Sequence, residues 1–168
     1  MTHLIALLLA LGAALPVHAG PAAVVSPFDW PVEPPRIARP FDPPPQPWLP
    51  GHRGVDLSTP PSAAVRAAGA GRVVYAGRLA DRGVVSVLHA NGLRTTYEPV
   101  TSPLHVGDPV AGGQLIGKVE PGHPGCPATA CLHWGLRRGE QYLDPLALLG
   151  LGQVRLLPLD DVPDAGPP

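Results

Sequence analysis

The chain has 168 residues and a net charge of −1, with 25 prolines and 20 glycines. That length allows about one domain once the two ends are set aside. A near-neutral balance with no run of Lys or Arg, and Lys118 as the sole lysine, leaves no electrostatic footprint for nucleic acid.

Residues 1–19 read as a secretory signal: an apolar stretch from Leu4 to Leu15, then Val17-His18-Ala19 with small residues where signal peptidase cuts. Only His3 stands where the basic n-region is usual. The run is shorter than the roughly 20 apolar residues that span a bilayer, and no other segment is long enough, so no membrane span is expected in the mature protein. Residues 20–50 are proline-rich, and proline lacks the N–H that ladders and helix interiors need; an extended, mostly irregular arm is expected. Four large aromatics, Phe28, Trp30, Phe41 and Trp48, favour its docking at least in part on the body of the domain. The tail, residues 159–168, is acidic and proline-rich and is expected to be disordered.

The body, residues 51–158, reads as all β. Val65–Ala68 and Gly71–Ala76 are short runs of β-formers bounded by glycine. Gly83–His89 meets Leu93–Tyr97 across Ala90-Asn91-Gly92, and Asn-Gly is the strongest short-range hairpin signal because both residues tolerate positive φ. Val106–Val110 and Leu115–Val119 alternate turn and strand in the same way. Only Pro145–Leu149 looks helical, with Asp144 as N-cap and Pro145 in the first position. The expectation is a compact antiparallel sheet domain, a sandwich or barrel-like hybrid, with one short C-terminal helix.

Two places carry chemistry. In Gly51-His52-Arg53-Gly54-Val55-Asp56-Leu57 three residues separate a His from an Asp, and imidazole and carboxylate are both zinc ligands. In Cys131-Leu132-His133-Trp134-Gly135 the i, i+2 spacing turns Cys131 and His133 to the same side of a strand. Alone, each pattern is weak. Together with the surrounding words they are not: GHRGVDLSTP, VRAAGAGRVVYAG, GLRTTY, VGDPVAGGQLIG and CLHWG stand in the order and at the spacings of lysostaphin/LytM-type zinc metallopeptidases. The chain resembles that family from about Phe41 to Leu149, in the version found in secreted actinobacterial proteins. The resemblance implies an exported hydrolase of peptidoglycan peptide, in the cell wall or the medium, with one zinc per domain held by His52, Asp56 and His133. A monomer is expected.

The departures bear on catalysis. The family's peptidases carry two further histidines beside the zinc; this chain has Cys131 at one of those positions and Pro99 at the other. Three arrangements follow. His123, in the loop before the Cys131 strand, takes over the catalytic role, with Glu98 a weaker candidate; or Cys131 becomes a fourth zinc ligand; or the domain binds zinc and wall peptide, or activates an amidase, without cutting. The first is preferred. Two cysteines close together in an exported chain favour a Cys126–Cys131 disulfide, which excludes the thiolate ligand and fixes the loop of His123. His89 is expected to make a structural hydrogen bond, His105 to be exposed, and Tyr97 to face either core or cleft. Arg53 and Arg137-Arg138 flank the motifs, within reach of substrate carboxylates, though solvated surface charge is the commoner arrangement.

Overall fold

The computed structural model describes residues 27–46 and 48–152; the expected signal segment and tail lie outside them. The described residues form eleven strands and one 3-10 helix. Seven strands make a continuous antiparallel path in the order β1 (Ile37–Arg39), β2 (Gly54–Thr59), β10 (Ala130–Arg138), β6 (Leu93–Glu98), β5 (Arg82–Leu88), β4 (Gly71–Leu79) and β8 (Pro109–Val110). β11 (Gln141–Leu143) adds to the end of β10. A second sheet runs β3 (Ala64–Arg66), β9 (Leu115–Val119), β7 (Val100–Thr101). The all-β antiparallel expectation holds, as two open sheets and not a closed barrel.

Alternation along the central strands decides which face each side chain takes. On β6, Leu93, Thr95 and Tyr97 are buried, while Arg94, Thr96 and Glu98 are half-buried on the opposite face. Core residues of the large sheet, including Val55, Leu57, Val85, Val87, Tyr97, Leu132 and Trp134, join Val65, Val100, Ile116 and Val119 of the small sheet in one cluster. Complete burial of a leucine such as Leu57 contributes about 1.5–3 kcal/mol. The face turned away from this core is free to form a site.

The hairpin at Ala90-Asn91-Gly92 is present: His89 N–H donates to the Leu93 carbonyl at 2.8 Å, and Gly92 has φ 76°. The β4–β5 turn was less visible in the sequence, because Ala80 and Asp81 take positive φ (48° and 67°) without a glycine. The helix at Pro145–Leu149 is a 3-10 turn, capped by Asp144 Oδ1 accepting from Leu146 N–H at 2.9 Å.

The arm is more ordered than its prolines suggest. Within it β1 pairs with β2, Ile37 opposite Leu57 and Arg39 opposite Asp56, and Asp42 bridges His52. Prolines flank β1 instead of interrupting it, so its ladder donors are intact. Phe28, Trp30 and Phe41 pack against the core. Trp48 does not: it is 78 % exposed, in the loop that the Asp42–His52 bridge closes.

His89 is buried between this arm and the sheet. Its Nδ1–H donates to the Ala70 carbonyl at 2.8 Å, and its Nε2 lies 2.9 Å from Thr95 Oγ1. Burial lowers its pKa, outweighing the opposing pull of the Ala70 carbonyl. A histidine held neutral contributes stability that is complete above the ordinary histidine range and lost as the pH falls through it, because the unfolded chain takes up the proton first. His89→Gln is therefore expected to cost more stability at about pH 7.5 than at about pH 5.5. Urea unfolding at both pH values measures the difference; an equal cost at both would contradict a neutral buried ring.

Gly69 lies beneath Phe28, and a Cβ there would come within 2.5 Å of the ring. Gly69→Ala is expected to destabilise by about 1–3 kcal/mol through overpacking. In a Phe28→Ala background the same substitution should cost little, since the clash is gone; urea unfolding of the four proteins in the cycle tests this.

Candidate metal centre

The register of three strands places the site. β10 pairs with β2 so that His133 lies opposite Asp56, and with β6 so that His133 lies opposite Glu98. His52 enters from the loop before β2 through a two-way backbone bridge with Asp42, at 2.7 and 3.0 Å. Its Nδ1 lies 2.6 Å from the Pro40 carbonyl, which can only accept, so Nδ1 carries the proton and Nε2 presents a lone pair. That lone pair lies 3.0 Å from Asp56 Oδ1 and 3.2 Å from His133 Nδ1. His133 Nδ1 is in turn 2.8 Å from Asp56 Oδ1. These three residues, paired in the sequence only by motif, form a tight triangle of donor atoms.

His123 supplies a fourth vertex, its Nε2 lying 3.1 Å from Asp56 Oδ1. It comes from the loop between β9 and β10, which the Cys126–Cys131 disulfide ties to β10. All four ligating atoms lie within 4.8 Å of one another. The set fits a zinc ion on its own chemistry: three imidazole nitrogens and one carboxylate oxygen converge, with the His52 lone pair directed at a carboxylate. Asp56 Oδ2 and His123 Nδ1 are buried with no hydrogen-bond partner among the described residues. Burial alone would raise the Asp56 pKa, but the hydrogen bonds from His123 and His133, together with their charge, hold it well below the usual carboxylate range. The carboxylate is therefore ready as an anion to meet a cation.

The remaining candidates sort by face. Cys131 is fully buried with its sulfur in the disulfide, so it is no thiolate ligand. Glu98 does point away from the face of Tyr97, and this is the cleft side; its carboxylate, however, is engaged by Arg82 Nε at 3.0 Å. Tyr97 is a core residue with 0 % exposure, its hydroxyl accepting from Ala68 N–H at 2.8 Å. His105 is a surface residue, with its side chain 87 % exposed. Arg53 and Arg137 line the cleft, whereas Arg138 is exposed.

The centre opens into a cleft of about 480 Å³ on the outer face of the large sheet, whose lining also includes Arg39, Arg82 and Arg94. The last two were readable only from the alternation of β5 and β6, which carries no chemical flag. Gly54 carries no chemical signal in the sequence, yet a Cβ there would meet His133 Nε2 at 2.6 Å and the Trp134 carbonyl oxygen at 2.5 Å. The glycine inside the His-x-x-x-Asp motif thus makes room for the imidazole on the neighbouring strand.

A His/Asp cluster that could hold a metal ion thus opens onto a cleft on the sheet of an all-β domain. The chain belongs to peptidase family M23, whose profile matches residues 50–145. Uncharacterised proteins of Mycobacterium tuberculosis and Mycobacterium bovis are 49 % identical to it over 154 residues, covering 89 % of this chain and 60 % of theirs. It thus spans about 60 % of the length of those curated relatives. The DD-carboxypeptidase/endopeptidase Mpg of Neisseria meningitidis is 32 % identical over 98 residues, 58 % of this chain and 22 % of Mpg. Among solved structures, Helicobacter pylori Csd3 aligns with a TM-score of 0.56 at 29 % identity, over 71 % of this chain and 33 % of Csd3. Lysostaphin shares the fold, with a TM-score of 0.56 at 23 % identity over 74 % of this chain and 54 % of its own. The resemblance read from the motifs is borne out.

Gly54→Ala is expected to push the His133 ring off Asp56 and to destabilise the domain by roughly 1–3 kcal/mol. Unfolding in excess chelator isolates the packing cost from any contribution of bound metal; wild-type stability in that measurement would show the contact to be slack.

Proposed function

We propose that this protein is an exported zinc metalloendopeptidase that cleaves peptide bonds of peptidoglycan, acting as a monomer in the cell wall or the medium. The observation that carries the reading is the convergence of His52 Nε2, Asp56 Oδ1 and His133 Nδ1 at the floor of an open cleft, in a chain of peptidase family M23. These three residues would hold the metal. A zinc ion held there supplies Lewis acidity toward a peptide carbonyl and toward water. Pro40 and Asp42 fix the imidazole of His52, and the sheet register fixes Asp56 and His133, so the donors are set before metal arrives.

His123 is the proton carrier in this reading. Peptide hydrolysis forms a C–O bond, breaks the C–N bond and moves one proton from water to the leaving amine. The His123 ring lies at the centre with Nε2 inward, where that proton is taken up and returned. Its loop is anchored by the disulfide, so the ring is held beside the other three donors at the cleft floor.

The 3.1 Å approach of His123 to Asp56 also supports a second reading, in which His123 is a fourth ligand. A closed four-ligand centre leaves no position for water and serves a structural or wall-binding role, with activation of a separate amidase as its outlet.

Hydrolysis of purified peptidoglycan by the mature protein, alongside bound-metal analysis, separates the two. The peptidase reading expects one zinc per chain, peptide products with wild type, none with His52→Ala, and turnover lowered by about 10²–10⁴-fold in His123→Ala with zinc retained. An inert wild type whose zinc affinity collapses in His123→Ala would establish the closed centre instead.

A further inference from the structure

Two arginines meet on the cleft floor away from the metal centre. Arg94 of β6 and Arg137 of β10 are directly paired across the strands, and both line the cleft. Like charges in that relation repel, and a sheet does not hold them together without compensation. Arg137 has some: its Nη2 donates to Glu140 Oε1 at 2.6 Å, but Glu140 is 98 % exposed and its charge is screened by water. Arg94 has less. It forms no ion pair among the described residues; its Nη2 donates to Ser86 Oγ at 3.1 Å, and its Nε is buried with no acceptor. Burial, and after it the charge of Arg137, disfavours the Arg94 cation, and Tyr142 and Glu140 offset this only in part. Tyr142 presents its ring to the guanidinium groups of both Arg137 and Arg53, each 5.7 Å from the centroid, which steadies this end of the cleft.

A paired cationic surface with an unanswered donor calls for an anion that bridges it. We propose that Arg94 and Arg137 form a carboxylate-binding subsite that selects peptides carrying an anionic group some residues from the bond held at the metal centre. The inference rests on the peptidase reading for what lies at the other end of the cleft; a peptide then supplies the anion as a side-chain or C-terminal carboxylate. The spacing follows from the strand. His133 and Arg137 are four residues apart on β10, about 13 Å at roughly 3.3 Å per residue. An extended peptide covers that span in about four residues, and about three once the reach of an arginine is allowed for. Carboxylate and guanidinium are matched in shape as well as charge, so the subsite reads a carboxylate more sharply than a neutral amide of equal size.

The test uses zinc-loaded mature protein and peptides released from purified peptidoglycan in three forms: native acid, side-chain carboxyls amidated, and C-terminal carboxyl amidated. Binding is followed by titration calorimetry and cleavage by product analysis. The native form is expected to bind about tenfold or more tighter than one of the amidated forms, as charge-assisted hydrogen bonds warrant. Which amidation abolishes the advantage identifies the carboxylate. The advantage should vanish in Arg94→Gln and in Arg137→Gln and persist in part in Arg94→Lys; Arg137→Gln serves if Arg94→Gln does not fold. Equal affinity for the three forms in wild type would overturn the inference, as would variants that weaken all three alike. Absence of cleavage with the carboxylate advantage intact would remove the peptidase reading and leave the subsite standing. Cleavage indifferent to amidation would do the reverse.

Discussion

The antiparallel pairing of β2 with β10 is the contact on which the rest of the site depends. It sets Asp56 opposite His133, so that residues 77 positions apart become neighbours with donor atoms 2.8 Å apart. The side-chain period of a strand is two, and a slip of one residue would send either group to the core face. The buried row of Val55, Leu57, Leu132 and Trp134 prevents that slip, because the same shift would expose those apolar groups at a cost of several kcal/mol in total. Core packing and site geometry are thus two readings of one register. Gly54 belongs to the same account: the strands can approach there only because one of them lacks a side chain.

Around that fixed pair the remaining donors come from less regular chain. His52 is held by a bridge to the arm, and His123 by a loop closed with a disulfide. The centre therefore combines two residues on rigid strands with two on tethered segments, and the tethers are local: one backbone bridge and one covalent bond. Beyond it the outer face of the sheet changes character within one strand length, from imidazole and carboxylate at His133 to guanidinium at Arg137. Alternation makes this possible, since every second residue of β6 and β10 is free of duties in the core.

Features carried by local chemistry were the ones legible in the sequence. Asn91-Gly92 marked its hairpin through positive φ, Asp144-Pro145 marked the 3-10 turn through capping, and the His-x-x-x-Asp and Cys-x-His words marked the donors. Features set by distant partners were not. The Ala80-Asp81 turn has no glycine, and its positive φ is enforced by the β4–β5 pairing. Strand β1 was hidden among prolines because its ladder partner lies some twenty residues away. Trp48 looked like an anchor by size alone, yet size does not say whether a loop brings a ring to the core. Arg94 was silent for a similar reason: an arginine in LRTTYE reads as solvated charge until the strand beside it is known to carry another opposite.

The arm bears on where this domain begins. The stretch that matches the M23 profile starts at residue 50, whereas β1 and the Pro40 carbonyl precede it. A chain cut at that limit would leave β2 as an edge strand with unpaired backbone groups, open to pairing with other copies. It would also release the Nδ1 proton of His52 from the Pro40 carbonyl, so that either ring nitrogen could turn toward Asp56 and His133. Residues 37–42, outside the matched stretch, thus help to hold β2 and His52 in place.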